Sequence, residues 1–138
     1  MPAKDLYHKQ VKQALINDGW TITDDPLNLP WGDTGVKIDL ELERLISAQK
    51  GTRQIAVELK SFLGRSRVDD LEDALGQIVL YRHVLRLQEP TRQLYLAIEQ
   101  LVYLNFFRRP HVELLLREEN IRLLVFDPVT EEIVQWID

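Results

Sequence analysis

A lysine–glycine pair at positions 50 and 51 separates two stretches in which every second residue is apolar, and this feature constrains the fold most. Val36, Ile38, Leu40 and Leu42 alternate with Lys37, Asp39, Glu41 and Glu43, and Gln54 to Lys60 alternates again with Ile55, Val57 and Leu59 apolar. A period of two sends alternate side chains to opposite faces of a strand. Two such stretches around a glycine turn read as a long β-hairpin. The pattern loosens through Leu45-Ile46-Ser47-Ala48, where a helical turn is the alternative. If Lys50-Gly51 is the two-residue turn, Glu58 lies opposite Glu43, Lys60 opposite Glu41 and Phe62 opposite Asp39. Leu42 then faces Leu59, and Ile46 faces Ile55. One face is apolar; the other carries Asp39, Glu41, Glu43, Glu58 and Lys60. A bulge would shift these pairings, and Arg44 on the apolar side points to one.

Around the hairpin the period is helical. A first helix is expected over about Lys4 to Asp18, with Leu6, Val11, Ala14 and Leu15 on one stripe and Gly19 at its C-terminal cap. Trp20 to Thr23 reads as a short strand and Asp24 to Gly35 as an irregular loop. A long helix is expected over about Val68 to Leu87, its apolar face made by Leu71, Ala74, Leu75, Ile78, Val79 and Leu85. A strand at Gln93 to Ile98 follows, then helices at Leu101 to Phe107 and His111 to Glu119. Ile121 to Phe126 and Glu132 to Ile137 form a closing hairpin around Asp127-Pro128. The order αβββαβ, then αα and ββ, implies an α/β fold with a mixed central sheet flanked by helices. At 138 residues the whole chain, 1–138, is expected to form a single domain.

Composition narrows the function classes. Acidic residues outnumber basic ones, 22 to 17, for a net charge of −5, which argues against a broad basic DNA-coating surface. It leaves open a nucleic-acid enzyme whose acids surround a cation. The chain has no cysteine, so disulfides and thiolate metal sites are excluded. No apolar run approaches the roughly 20 residues of a membrane span, and a cytoplasmic protein is expected.

The chemistry centres on Glu58-Leu59-Lys60, whose two charged side chains share one strand face. Carboxylates directly opposite one another on a sheet repel, so the acidic face calls for a cation or for water. Mg²⁺ and similar hard ions take carboxylate, water and phosphate oxygens. A lysine beside such an ion can act on the attacking water and neutralise charge developing on phosphorus. These are the parts of a phosphodiester hydrolase; an acidic, merely solvated strand face has the same spacing.

The element order, with an acid on one strand and glutamate-x-lysine on the next, resembles the PD-(D/E)xK nuclease superfamily of restriction enzymes and Holliday-junction resolvases. A closer resemblance covers nearly the whole chain. The phrases KDLYHKQVKQALINDGWTIT, IAVELKSF, ALGQIVLYRHVL and IVQWID are similar to the XisH family of cyanobacterial excision-controlling factors. That resemblance implies a restriction-endonuclease-like fold and a role in programmed excision of the fdxN DNA element. It also implies DNA, an XisI-type companion protein and a separate site-specific recombinase as partners. The superfamily acid falls on Asp39, the glutamate on Glu58 and the lysine on Lys60, with Mg²⁺ or Mn²⁺ as the implied ion. Ile38 stands where the superfamily has proline. The nineteen-residue step from Asp39 to Glu58 leaves Glu41 and Glu43 as rival ligands.

Other residues have two readings each. Gln77 and Tyr81, four apart on the long helix, resemble a feature of RecB-like nucleases that faces the active site or DNA; a tyrosine packing beside the core gives the same spacing. His8, Lys12 and Gln13 can approach that cleft from the first helix, although a surface histidine is the simpler account. Arg65 and Arg67, just after the motif strand, are placed to grip phosphates. Arg108 and Arg109 read as a solvated loop. Trp31 can stack on a base or close over the core or an interface. Two functions follow: a divalent-metal-dependent nuclease or its descendant, and a non-catalytic module that regulates excision by binding partners. The Leu-, Phe- and Tyr-rich stretch from Leu101 onward would supply the dimer or partner surface.

Overall fold

Both faces of the central strands are apolar, so both must be covered, and the helices divide unequally to do it. The computed structural model describes residues 6–29, 31 and 45–138. The expected strand from Val36 to Arg44, including Asp39, Glu41 and Glu43, lies outside the described residues. The elements are α1 (His8–Asn17), β1 (Thr21–Asp24), β2 (Leu45–Lys50), β3 (Arg53–Leu59), α2 (Arg67–Gln88) and β4 (Arg92–Glu99). A three-residue α3 (Gln100–Val102) runs into a π-helical turn (Tyr103–Phe107), followed by α4 (Pro110–Glu118), β5 (Arg122–Asp127) and β6 (Glu132–Ile137). The αβββαβ order and the closing helices and hairpin are those the periodicity predicts.

The six strands lie side by side in chain order, β1 to β6. β3–β4 and β4–β5 are parallel, and the other three pairs are antiparallel. Parallel neighbours need crossover connections, and these almost always take one hand. Two successive crossovers stepping in the same direction therefore put their helices on the same face. Leu71, Ala74 and Ile78 of α2 and Val112 and Leu116 of α4 accordingly share a core with Leu45, Ala56, Leu96 and Val125. The other face is covered by α1, whose Val11, Ala14 and Leu15 meet Ile46, Ile55, Val57, Tyr95 and Phe126.

Several local expectations are corrected. Leu45 to Ala48 is strand, as the hairpin reading has it, and the helical-turn alternative falls. The hairpin turn is Gly51-Thr52: Lys50 pairs with Arg53, and Gly51, at φ 61, supplies the positive φ that a tight turn requires. Glu58 therefore lies opposite Leu45 rather than Glu43, and Ile46 opposite Val57 rather than Ile55. The shift is two positions, so the sorting of residues to faces is unchanged. The Glu58 face is not an open acidic surface, however, because α2 covers it. On α2, Val79 is exposed, and Tyr81 and Val84 occupy the buried face instead. Leu6 precedes α1 and is exposed, and the buried stripe of the helix begins at His8.

Candidate functional site

β3 is an interior strand, flanked by antiparallel β2 and parallel β4, and its alternation decides what lies beneath α2. Glu58 sits between Leu45 of β2 and Leu96 of β4, on the face shared by Ala56, and is 0% exposed. Lys60 N donates to Ala97 O at 3.2 Å, which carries the ladder one step past the strand and keeps Lys60 on the Glu58 face. Its ammonium lies 4.0 Å from Asp73 of α2.

That contact fixes the phase of the helix over the strand. A crossover helix runs antiparallel to its strands, four helical residues rise about 6 Å, and two strand residues rise about 6.6 Å. With Asp73 over Lys60, Gln77 falls at the level of Glu58 and Tyr81 at the level of Ala56. Gln77 Oε1 is buried and has no hydrogen-bond partner among the described residues, while Tyr81 is buried in the α2-side core. The fold thus puts Glu58, Lys60, Gln77 and Tyr81 on the same side of the sheet, the side that α2 covers. Asp73, one turn before Gln77, was missed in the sequence; its spacing of four from Gln77 was the available signal.

The segment after Lys60 is tied down at three points. Phe62, at φ 55, is buried against Phe106 and Phe107, and its carbonyl accepts a hydrogen bond from Arg67. Gly64 N donates to Asp70 Oδ2 at 2.9 Å, an approach so close that a Cβ on Gly64 would meet Asp70 Oδ1 at 2.7 Å. Ser66 caps α2 by accepting from Asp69 N, with Asp69 and Asp70 complementing the helix dipole. Arg67 is therefore partly engaged by the backbone, whereas Arg65 is an exposed arginine of this loop.

His8 is not a surface histidine. It is buried on α1, the helix over the opposite face, and its Nε2 lies 2.9 Å from Asp25 Oδ2, which Lys12 Nζ reaches at 2.8 Å. Burial pushes the Asp25 carboxyl up, but the hydrogen bonds and charges of Lys12 and His8 outweigh it and hold it below the usual 3.8. Gln13 is occupied with Asn17. Trp31 is 48% exposed, and Arg108 and Arg109 are exposed, with Arg109 Nε donating to Asn105 O. Among the described residues no group of three His, Asp or Glu side chains is arranged to hold a metal, and Asp39, the second expected ligand, lies outside them.

A helix, three strands, a crossover helix and a parallel strand, with glutamate-x-lysine on the interior strand, define an α/β protein of the restriction-endonuclease-like class. The profile of the XisH protein family matches residues 1–134, and the chain belongs to that family. It is similar to an XisH family protein from Nostoc punctiforme PCC 73102, at 40% identity and a TM-score of 0.88, over 97% of this chain and 100% of that one. It is also similar to an fdxN element excision controlling factor protein from Anabaena variabilis, at 42% identity and a TM-score of 0.87, over 96% of this chain and 98% of that one. No functionally curated protein matches the chain.

Proposed function

We propose that the protein is an fdxN-type element excision controlling factor, the role for which its Anabaena variabilis relative is named, and that it acts as a divalent-metal-dependent DNA nuclease. The observation that carries the nuclease reading is Glu58, a fully buried carboxylate on an interior strand, with Lys60 on the same face. Burying a carboxylate costs several kcal/mol, and an apolar residue of similar size would be no worse for stability. A role in chemistry would offset that cost.

The available donors fit a hard cation. The chain has no thiolate to offer, and its buried histidine is engaged by Asp25, which leaves carboxylate oxygen for Mg²⁺ or Mn²⁺. Glu58 and Asp39 would hold the ion, with Glu41 or Glu43 as substitutes for Asp39. When bound, the ion lowers the pKa of water and polarises the phosphodiester. Lys60 orients the attacking water and offsets charge gathering on the phosphate. Gln77, with its buried acceptor, and Tyr81 shape the cleft, and Arg65 grips the backbone beside it. Strand exchange belongs to a separate site-specific recombinase, with an XisI-type protein as companion.

A second reading is a non-catalytic regulator that binds these partners or a second copy of itself. Leu101 on α3, Leu104 in the π-helical turn and Leu114 on α4, exposed at 64%, 45% and 50%, favour it. The deciding experiment is calorimetric titration of Mn²⁺ and Mg²⁺ into wild type and Glu58→Ala, followed by cleavage assays on branched and duplex DNA with Lys60→Ala. The nuclease reading expects metal binding that Glu58→Ala abolishes and cleavage that Lys60→Ala reduces at least about 100-fold. A folded Lys60→Ala protein that still supports excision fully would give the function to the regulator.

A further inference from the structure

The end of the sheet remote from Lys60 carries a cleft that no part of this reading uses. β4 and β5 begin there, and α2, running antiparallel to them, ends there. Four arginines, Arg82, Arg86, Arg92 and Arg122, line a cavity of about 260 Å³ together with Asn120, and no acid shares the lining. In a chain with 22 acids and 17 bases this is a local reversal of sign. Leu85, Leu94 and Ile121 are among the apolar residues of the lining. Leu96, the β4 neighbour of Glu58, and Ile78 form the inner end of the lining, and Leu96 is about 13 Å along the strand from Arg92, so the arginines sit at the far end of the cleft from Glu58.

The arginines are not equally committed. Arg92 is spent on the fold: it bonds Glu89 at 3.2 Å and Ile55 O at 2.9 Å. Arg122 approaches Asp138 at 3.8 Å. Arg82 Nη1 donates to Glu119 O at 2.9 Å and reaches Asn120 O at 3.5 Å, which fixes its plane without neutralising its charge. Arg86 is exposed and has no hydrogen bond or ion pair among the described residues. Two guanidinium charges are thus left without a carboxylate, one of them held in orientation. Planar guanidinium forks match phosphate oxygens in pairs, and a terminal phosphate carries about −1.5 to −2 at neutral pH. The apolar lining would seat an organic body next to that charge, and the cavity is sized for one nucleotide unit rather than the flank of a duplex.

We propose that this cleft binds a nucleotide phosphate, either as a free nucleotide or as the phosphorylated end of a strand. The test is calorimetry of the full chain with inorganic phosphate, adenosine and adenosine 5′-monophosphate. Anisotropy of a labelled single strand, with and without a 5′-phosphate, runs beside it, each in wild type, Arg86→Ala and Lys60→Ala. The expected result is saturable binding of the monophosphate or of the 5′-phosphorylated strand, weakened about tenfold in Arg86→Ala and unchanged in Lys60→Ala. Binding of the monophosphate identifies a free nucleotide as the source; binding of the phosphorylated strand alone identifies a strand end. The proposal is overturned by equal binding without the phosphate, by inorganic phosphate binding as well as the monophosphate, or by loss in Lys60→Ala equal to that in Arg86→Ala. Inert phosphate probes alongside capture of an acidic peptide would overturn it too and give the cleft to a protein partner.

Discussion

Asp25 and Glu58 are carboxylates withdrawn from water on opposite faces of one sheet, and their surroundings are built for different ends. Asp25 meets two nitrogens from α1, His8 at 2.9 Å and Lys12 at 2.8 Å, within a helix-to-loop staple. Glu58 lies deeper, between Leu45 and Leu96 in an interior strand and under α2, and the lysine two residues along its strand leans towards Asp73. A carboxylate with two close nitrogens is placed to hold segments together. Glu58 shares its strand face with Lys60, and under the proposed function it serves chemistry rather than cohesion. The two should respond to mutation with opposite signs.

Asp25→Ala tests the structural half and carries the largest expected effect. Removing one partner of a buried pair strands the others, and with the Asp25 side chain 11% and Lys12 34% exposed, the loss should be about 2 kcal/mol. Urea unfolding measures it, and α1 should be the first element to lose amide-exchange protection. A loss below the error of the measurement would mean that the staple is ornamental.

Glu58→Gln tests the other half. An amide keeps the shape without the charge, so stability should stay level or rise by about 1 kcal/mol while metal binding disappears. A fall of 2 kcal/mol or more with metal binding intact would make Glu58 a second staple and erase the contrast. In Lys60→Ala the lost contact with Asp73 should itself account for no more than about 0.5 kcal/mol, because it is long and Asp73 is 68% exposed. The same substitution is expected to remove cleavage, and that pairing of a small stability effect with a large functional one is what marks a reacting residue.

The difference between the two sites also explains what the sequence could reveal. Element order was legible because periods of two and 3.6 are local properties: β3 and the long crossover helix lie where their patterns put them, whereas β2 occupies the stretch where the alternation loosens. The facial sorting of Glu58 and Lys60 survived a wrong turn, because moving the turn from Lys50-Gly51 to Gly51-Thr52 shifts the register by two and leaves each side chain on its own face. What was illegible depends on contacts between distant segments. His8 reads as exposed until a loop seventeen residues on brings Asp25 to it. The arginine cleft draws on α2, β4 and β5 and exists only once parallel pairing aligns their ends. Asp73 gains meaning only from the height at which α2 crosses β3. The remaining expected ligand, Asp39, lies outside the described residues.

The smallest expected effect is a change of slope, and it isolates Asp25 from every other acid. Its carboxyl is held below 3.8, burial opposing the shift and Lys12 and His8 prevailing. In the window beneath 3.8 the unfolded chain therefore binds a proton at this residue more readily than the folded one. The Asp25 contribution is fully present above that value and is lost as the pH falls towards the folded-state value. Asp25→Asn cannot titrate, so its stability should fall less steeply than that of wild type over this acid range, and the two curves should converge there. Urea midpoints taken at successive pH values between about 5 and 2 would show it. Parallel curves would mean that Asp25 has the same proton affinity folded and unfolded, and the staple would then rest on packing and neutral hydrogen bonds rather than on charge.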